Sequence, residues 1–364
     1  MPMAEKAVYI IAEIGTAHNG DLATAKRLVD AAAQAGADCA KFQTVFADEI
    51  VPPNVGEVPL PGGSIPLYDR FRSLEQPIEF YAALLEHCKS RDIDFLSTPF
   101  GLESARLLRS INVQCIKIAS PELNHLPLLS EVAGYRLPLI LSTGVSRLED
   151  IERAVETCRE VNPSIDLCLL HCVTSYPAPP EDYNLHVMSG LKTIFGVDVG
   201  VSDHSLDPRL VPLLSTTLGV TTIEKHICLS RSGDGLDDPI ALDPAAFAVM
   251  VDAVRWAEET ELGQVIEYCC REFGESVVQK TLGNGHKQLS DSERSNYGRT
   301  NRSIHAICDL PAGHTIGKDD YRLLRTEKVL RPGLPPHLAD VVEGATLRRA
   351  VPAGEGICWN DLID

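Results

Sequence analysis

Residues 198–227 read DVGVSDHSLDPRLVPLLSTTLGVTTIEKHI, and their rhythm decides the fold. Two short β-rich runs, 198–202 and 222–227, flank a segment with a helical pattern, which makes one strand-helix unit and the strand of the next. Towards the N-terminus the same alternation recurs, with strands expected at 166–173, 137–142, 115–119, 94–97, 39–43 and 8–14. A helical stretch follows each. Ile151, Val155 and Cys158 share one face after the fifth strand, and Phe247, Val251 and Val254 share one after the eighth. Eight successive βα units predict an α/β protein built on a (β/α)8 TIM barrel. An open doubly wound sheet is the alternative, but it calls for a GxGxxG turn near the first strand, and none is there. Pro and Gly are dense across 51–66, so that segment reads as a loop inserted near the barrel mouth after the second strand.

The chain of 364 residues exceeds the roughly 250 to 300 at which single cores stop growing, so a second, smaller domain is expected. The barrel is assigned to 1–261. Residues 262–298 lose the βα rhythm, turn polar around Gly283, Asn284, Gly285 and Ser290, and read as a linker. In 299–364, Pro311-Ala312-Gly313-His314-Thr315-Ile316 with Asp319-Asp320 is echoed by Pro352-Ala353-Gly354-Glu355-Gly356-Ile357 with Asn360-Asp361. The echo points to a small β-rich domain with an internal pseudo-repeat, each copy a tight turn before a short apolar strand.

A hydrophobic share of 44% with 23% charged residues suits a globular chain with a large core. No apolar run has the length of a bilayer span, and Met1 to Lys6 lead straight into the first strand without a signal-peptide core, so a cytoplasmic protein is expected. The eleven cysteines form no CxxC pair; Cys39, Cys115 and Cys168 lie in strand-like segments and read as reduced core thiols. A net charge of -18 argues against nucleic-acid and membrane partners, and it means that any anionic ligand needs a local cationic pocket.

Active sites of such barrels stand at the C-terminal strand ends. There the sequence places Glu13 with His18 and Asn19; Lys41 with Gln43; Ser97 and Thr98; Lys117 with Ser120 and Glu122; Ser142 and Thr143; His171 and Tyr176; Ser202, Asp203 and His204; and Glu224, Lys225 and His226. Lys41, Lys117, Thr98, Ser120, Ser142 and Ser202 form a set of donors suited to phosphate or carboxylate oxygens. The bland alternative is that the serines only cap the following helices. His204 and His226 end neighbouring strands and could share one divalent metal, or each could serve as an ordinary hydrogen-bonding histidine. Asp234, Asp237 and Asp238 follow His226 as further ligand or sugar-binding candidates, or as a solvated turn.

These motifs resemble those of the N-acetylneuraminate (sialic acid) synthase family, which includes the legionaminic, pseudaminic and spore-coat enzymes. The resemblance runs through Ala12-Glu13-Ile14-Gly15, His18-Asn19-Gly20, Lys41-Phe42-Gln43, Ser97-Thr98-Pro99-Phe100 and Lys117-Ile118-Ala119-Ser120 with Glu122. It continues in Leu141-Ser142-Thr143-Gly144, Leu170-His171-Cys172 with Tyr176-Pro177, Ser202-Asp203-His204-Ser205 and Glu224-Lys225-His226. Arg302-Ser303-Ile304 and Arg331-Pro332-Gly333 resemble the antifreeze-like (SAF, β-clip) domain that ends family members.

The resemblance implies metal-dependent condensation of phosphoenolpyruvate with an N-acetylmannosamine-type aldehyde, with C–O cleavage, giving a sialic-acid-like nonulosonate and phosphate. It implies His204 and His226 as ligands of Mn2+, or of Mg2+ or Co2+. Lys41, Gln43, Thr98, Lys117, Ser120, Ser142 and Ser202 would meet phosphoenolpyruvate, and Glu122, Tyr176 and Asp237 the sugar. Glu13 would orient water or move protons, and Arg302 would reach in from the partner of a domain-swapped homodimer. Ala17, Gly101, Thr174 and Asn301 depart from common family residues, Gly101 standing where Asp often follows the Thr-Pro-Phe run; these departures bear on which sugar is used. Two rivals from other classes are a Schiff-base aldolase using Lys117 or Lys225, and a non-catalytic sugar-binding scaffold.

Overall fold

A computed structural model describes residues 7–60, 63–233, 235–327 and 329–363. Met1 to Lys6, Pro61 and Gly62 of the inserted loop, and Asp234 lie outside the described residues. The strands in chain order are β1 (Tyr9–Gly15), β2 (Cys39–Thr44), β3 (Glu57–Leu60), β4 (Gly63–Pro66), β5 (Asp94–Pro99) and β6 (Ile116–Ile118). They are followed by β7 (Leu139–Ser142), β8 (Leu167–Cys172), β9 (Asp198–Asp203), β10 (Thr222–His226), β11 (Arg302–Ala306) and β12 (Tyr321–Arg325). Parallel ladders join eight of them in the order β5-β2-β1-β10-β9-β8-β7-β6. The seam falls between β5 and β6, which lie side by side, so the sheet is a nearly closed TIM-type barrel. β3 and β4 form a hairpin within the inserted loop.

Period-two alternation sorts each barrel strand into an inner and an outer set. The outer residues join the surrounding helices in one large core, where Ile151, Val155 and Cys158 of the helix Leu148–Val161 and Phe247, Val251 and Val254 of the helix Pro244–Glu259 are buried as expected. Inside, Ile11, Cys39, Leu96, Ile140, Cys168 and Leu170 pack as an apolar floor. One step further along the same strands stand Glu13, Lys41, Thr98, Ser142 and Cys172, so the polar layer sits directly on that floor. Register then fixes the neighbours: Glu13 lies beside both Lys41 and His226, Gln43 beside Thr98, and Ser202 beside Glu224.

The first part of the expected linker is not a linker. Residues 262–282 form the helices Leu262–Phe273 and Glu275–Leu282, and Val265, Cys269 and Val278 are buried in the barrel core. Their apolar stripe is sparse and set among charged residues, which is why the segment reads as polar. From Gly283 to Asn301 the chain runs against the loops that follow β7 and β8 without regular structure apart from turns.

The C-terminal domain is a pseudo-dyad. Gly313 and Gly354 both adopt left-handed φ (82° and 86°), and Ile316 and Ile357 after them are buried. The backbone bonds are reciprocal: Leu310 and Val351 exchange N–H and C=O, Gly313 donates to Leu347, and Gly354 donates to Ala306. Asp320 and Asp361 each accept an N–H three residues upstream, from Gly317 and Cys358. Leu330 joins Ile50, Val55, Leu67 and Phe100 in a small apolar cluster that seats this domain on the barrel loops.

Candidate active site

Within the barrel mouth a cavity opens over the polar layer. It is lined by Glu13, Lys41, Gln43, Thr98, Lys117, Ser120, Ser142, Tyr176, Ser202, His204, His226 and Asp237. Two candidates stand elsewhere. Glu122 and Arg302 are wholly buried against each other, Arg302 Nη2 donating to Glu122 Oε1 at 2.9 Å, and Arg325 adds a second guanidinium to the same oxygen at 2.6 Å. The remaining Arg302 N–H groups reach carbonyl oxygens of Glu49, Ile50, Phe100 and Leu323. Within this one chain the Arg302 guanidinium is held by the chain's own Glu122 and by those four carbonyl oxygens, outside the cavity lining. The helix-cap alternative also fails for Ser142 and Ser202, which bond Lys117 and Glu224.

The residue that organises the cavity is Glu224, which the sequence reading put at a strand end without a role. Its carboxylate lies 3.2 Å from Lys117 Nζ and 3.6 Å from Lys41 Nζ, and it accepts the Ser202 hydroxyl at 2.9 Å. Lys117 also donates to Ser142 Oγ at 2.7 Å. Lys41 contacts Glu13 Oε2 at 2.5 Å, and Gln43 Nε2 donates to Glu13 Oε1 at 2.9 Å. Burial alone would raise Glu224, but Lys117 and Lys41 outweigh it and hold the carboxyl at about 2. Burial wins for Glu13, whose pKa is raised in spite of Lys41. Two carboxyls in one site are thus pushed apart, the pattern that separates a fixed counter-ion from a group able to exchange a proton.

Beside this cluster the His204 and His226 rings lie 5.6 Å apart. Burial lowers both pKa values and so favours the neutral imidazoles. His204 Nδ1 donates to Val173 O at 2.8 Å, which leaves the Nε2 lone pair as its donor atom. Tyr176 stacks on His204 with centroids 4.4 Å apart. Asp237 Oδ2 is 3.8 Å from His226 Nδ1, and burial with Glu13 and Asp238 nearby raises its carboxyl to about 7. Among the described residues no three His, Cys, Asp or Glu side chains converge to hold a metal alone. The two imidazoles fit an open site whose other positions fall to substrate or water oxygens.

The same alternation expels other strand-end candidates. Lys225 points outward, where Asp203 Oδ2 at 2.6 Å and the Ser205 carbonyl at 2.5 Å hold its ammonium. That removes it as a Schiff-base nucleophile. His18 packs on Phe42 and Phe80, and His171 bonds the Tyr183 carbonyl; neither faces the cavity.

Comparison with known proteins places these observations in a family. The NeuB family model matches residues 28–267, and the SAF domain model matches 301–363. The chain is 36% identical over 359 residues to the spore coat polysaccharide biosynthesis protein SpsE of Bacillus subtilis, covering 98% of this chain and 94% of that one. It is 35% identical over 361 residues to the N,N'-diacetyllegionaminic acid synthase of Legionella pneumophila, covering 97% and 94%. A crystal structure of the Bacillus subtilis protein superposes over 100% of this chain and 99% of that one, with a TM-score of 0.82 at 33% identity. A sialic acid synthetase from Leptospira borgpetersenii, solved in complex with citrate, superposes over 80% and 90% with a TM-score of 0.63 at 30% identity.

Proposed function

Because the chain belongs to the NeuB family, and so condenses phosphoenolpyruvate to make a sialic-acid-like nonulosonate, we propose how its pocket divides that work and what its acceptor is. The observation that carries the reading is the pair of buried lysines, joined through Glu224, in one cavity with two imidazoles. Lys41 and Lys117, with Thr98, Ser120, Ser142 and Ser202, bind the phosphate and carboxylate of phosphoenolpyruvate. Tyr176 and Asp237 face the sugar.

His204 and His226 hold a divalent ion, Mn2+ foremost, which when bound would polarise the acceptor aldehyde as a Lewis acid. C3 of phosphoenolpyruvate attacks that aldehyde carbon, water adds at C2, and phosphate departs by C–O cleavage to leave a 2-keto acid. Glu13 takes the proton of that water; its raised pKa and its bonds to Lys41 and Gln43 suit a group that is held in place yet able to exchange a proton. Glu224 stays ionised throughout and keeps both lysines aimed into the cavity.

The acceptor is an N-acetylmannosamine-type sugar, with a diacetamido sugar favoured by the legionaminic acid synthases among the relatives. We place the enzyme in the cytoplasm: its eleven cysteines are all free thiols, as in a reducing compartment, and no described helix is long and apolar enough to cross a membrane. A domain-swapped homodimer would exchange between chains the Arg302–Glu122 contact made here within one chain. Sedimentation of the full chain tests that assembly.

The deciding assay is phosphate release from phosphoenolpyruvate, with and without Mn2+, across N-acetylmannosamine, its 6-phosphate and diacetamido sugars. Release that needs both the metal and one sugar confirms the reading and names the acceptor. Metal-independent release, or release with no acceptor, overturns it.

A further inference from the structure

Three side chains of the segment 283–301 hold both backbone groups of two barrel residues. Val145, just past β7, has φ +40°, a left-handed conformation that a β-branched residue rarely adopts and that its surroundings must enforce. Its N–H donates to Glu293 Oε1 at 2.7 Å, and its C=O accepts from Asn301 Nδ2 at 3.0 Å. Thr174, just past β8, donates its N–H to the same Glu293 oxygen at 2.8 Å, and its C=O accepts from Asn296 Nδ2 at 3.1 Å. Glu293 is 2% exposed, and its other oxygen is bonded to Ser290. One buried carboxylate oxygen therefore pins together the loops that follow two neighbouring strands.

Those loops carry adjacent stretches of the cavity rim. The first bears Ser142, the partner of Lys117, and Gly144, whose N–H donates to Ser120 Oγ at 3.0 Å. The second bears Tyr176, stacked on His204. There is no slack between them: a Cβ on Gly144 would lie 2.2 Å from Thr174 Oγ1 and 2.9 Å from Ser120 Oγ.

We infer that Glu293, outside the cavity, is a positioning residue of the synthase: by fixing Val145 and Thr174 against each other it sets the spacing between Ser120 and Ser142 on one side of the seam between β7 and β8 and Tyr176 and His204 on the other. The inference rests on the roles proposed above for those residues. Small misplacements of reacting groups are costly, so Glu293→Ala should lower kcat by about 10- to 100-fold, with KM for phosphoenolpyruvate changing much less. Glu293→Gln retains an acceptor oxygen for both N–H groups and should restore kcat to within a few-fold. Amide hydrogen exchange at Val145 and Thr174 should accelerate in Glu293→Ala and not in Glu293→Gln. That readout needs no turnover, so it separates failure of this inference from failure of the functional reading. Near-wild-type kcat in Glu293→Ala, or Glu293→Gln as impaired as Glu293→Ala, overturns it. Should Glu293→Ala not fold, Glu293→Asp draws the carboxylate back from both N–H groups, and an unchanged kcat in that folded variant, with exchange at Val145 and Thr174 accelerated, overturns it equally.

Discussion

Glu224 carries two lysines on one carboxylate, and this makes its removal unlike the loss of a surface charge. Glu224→Gln leaves Lys41 and Lys117 buried with Glu13, among the described residues, as the one remaining carboxylate in contact with either, and breaking a buried ion pair from one side costs about 3–5 kcal/mol. Urea denaturation should register a loss of that order, and a loss below about 1 kcal/mol would show that water already screens the pair. For the imidazoles the prediction separates binding from folding. His204→Ala and His226→Ala should each abolish turnover and Mn2+ binding by calorimetry while leaving the melting temperature nearly unchanged, since neither removes core apolar volume. Full-strength Mn2+ binding in either variant would sink the ligand assignment. Much of this was legible residue by residue. Lysines, hydroxyls and histidines cluster at strand ends, and period-two alternation sets Glu224 and His226 inward and Lys225 outward. The burial of Glu122 under Arg302 and Arg325 was not legible, because nothing local marks a contact between residues so distant in sequence.

At the scale of elements, a departure from the family pattern has a structural answer. The helix Leu102–Ser110 begins at Gly101, a residue with no side chain to cap it. Its orphan N–H groups are satisfied from another element: Glu49 Oε1 accepts from Glu103 N, and Glu49 Oε2 from Ser104 N at 3.2 Å and Ser104 Oγ at 2.6 Å. A Cβ at position 101 would lie 2.4 Å from the Glu49 carboxyl carbon, so the two solutions exclude each other. Glu49→Ala should therefore cost about 1–2 kcal/mol, the usual worth of a cap, and Gly101→Asp alone should also destabilise. Together they should recover most of the loss, because the introduced carboxylate then caps the helix in the space Glu49 vacates. Additive losses in the double-mutant cycle would refute the exchange. The eight strands were readable because each repeats a strong local pattern. The helices from Leu262 to Leu282 were not, because their stability comes from docking a few apolar residues on the barrel.

For the whole molecule, three buried histidines contribute to the response to acid. His125 caps the helix Leu126–Ala133 by accepting Leu128 N–H on Nδ1, and His18 accepts Gly20 N–H in the same way, so each must be neutral to make its bond. His171 donates Nε2–H to the Tyr183 carbonyl and, among the described residues, has no partner for a second proton. Burial lowers all three, His18 and His171 to about 4 and His125 to about 3, from an ordinary 6.5. As pH falls below 6.5 the unfolded chain takes up these protons while the folded chain refuses them until about 4 or 3. The stability they contribute is therefore full above about 6.5 and is lost across that window, each proton adding a slope of about 1.4 kcal/mol per pH unit. Asp237, raised to about 7, and Glu13, also raised, act in the opposite sense by binding protons in the folded chain, so the decisive measurement compares variants by urea unfolding at about pH 7, 6 and 5. His125→Asn keeps an acceptor for Leu128 N–H but cannot titrate, so its curve should be shallower than wild type by one proton's slope between about pH 6 and 5. Parallel curves for the two proteins would mean that His125 already titrates normally in the folded state.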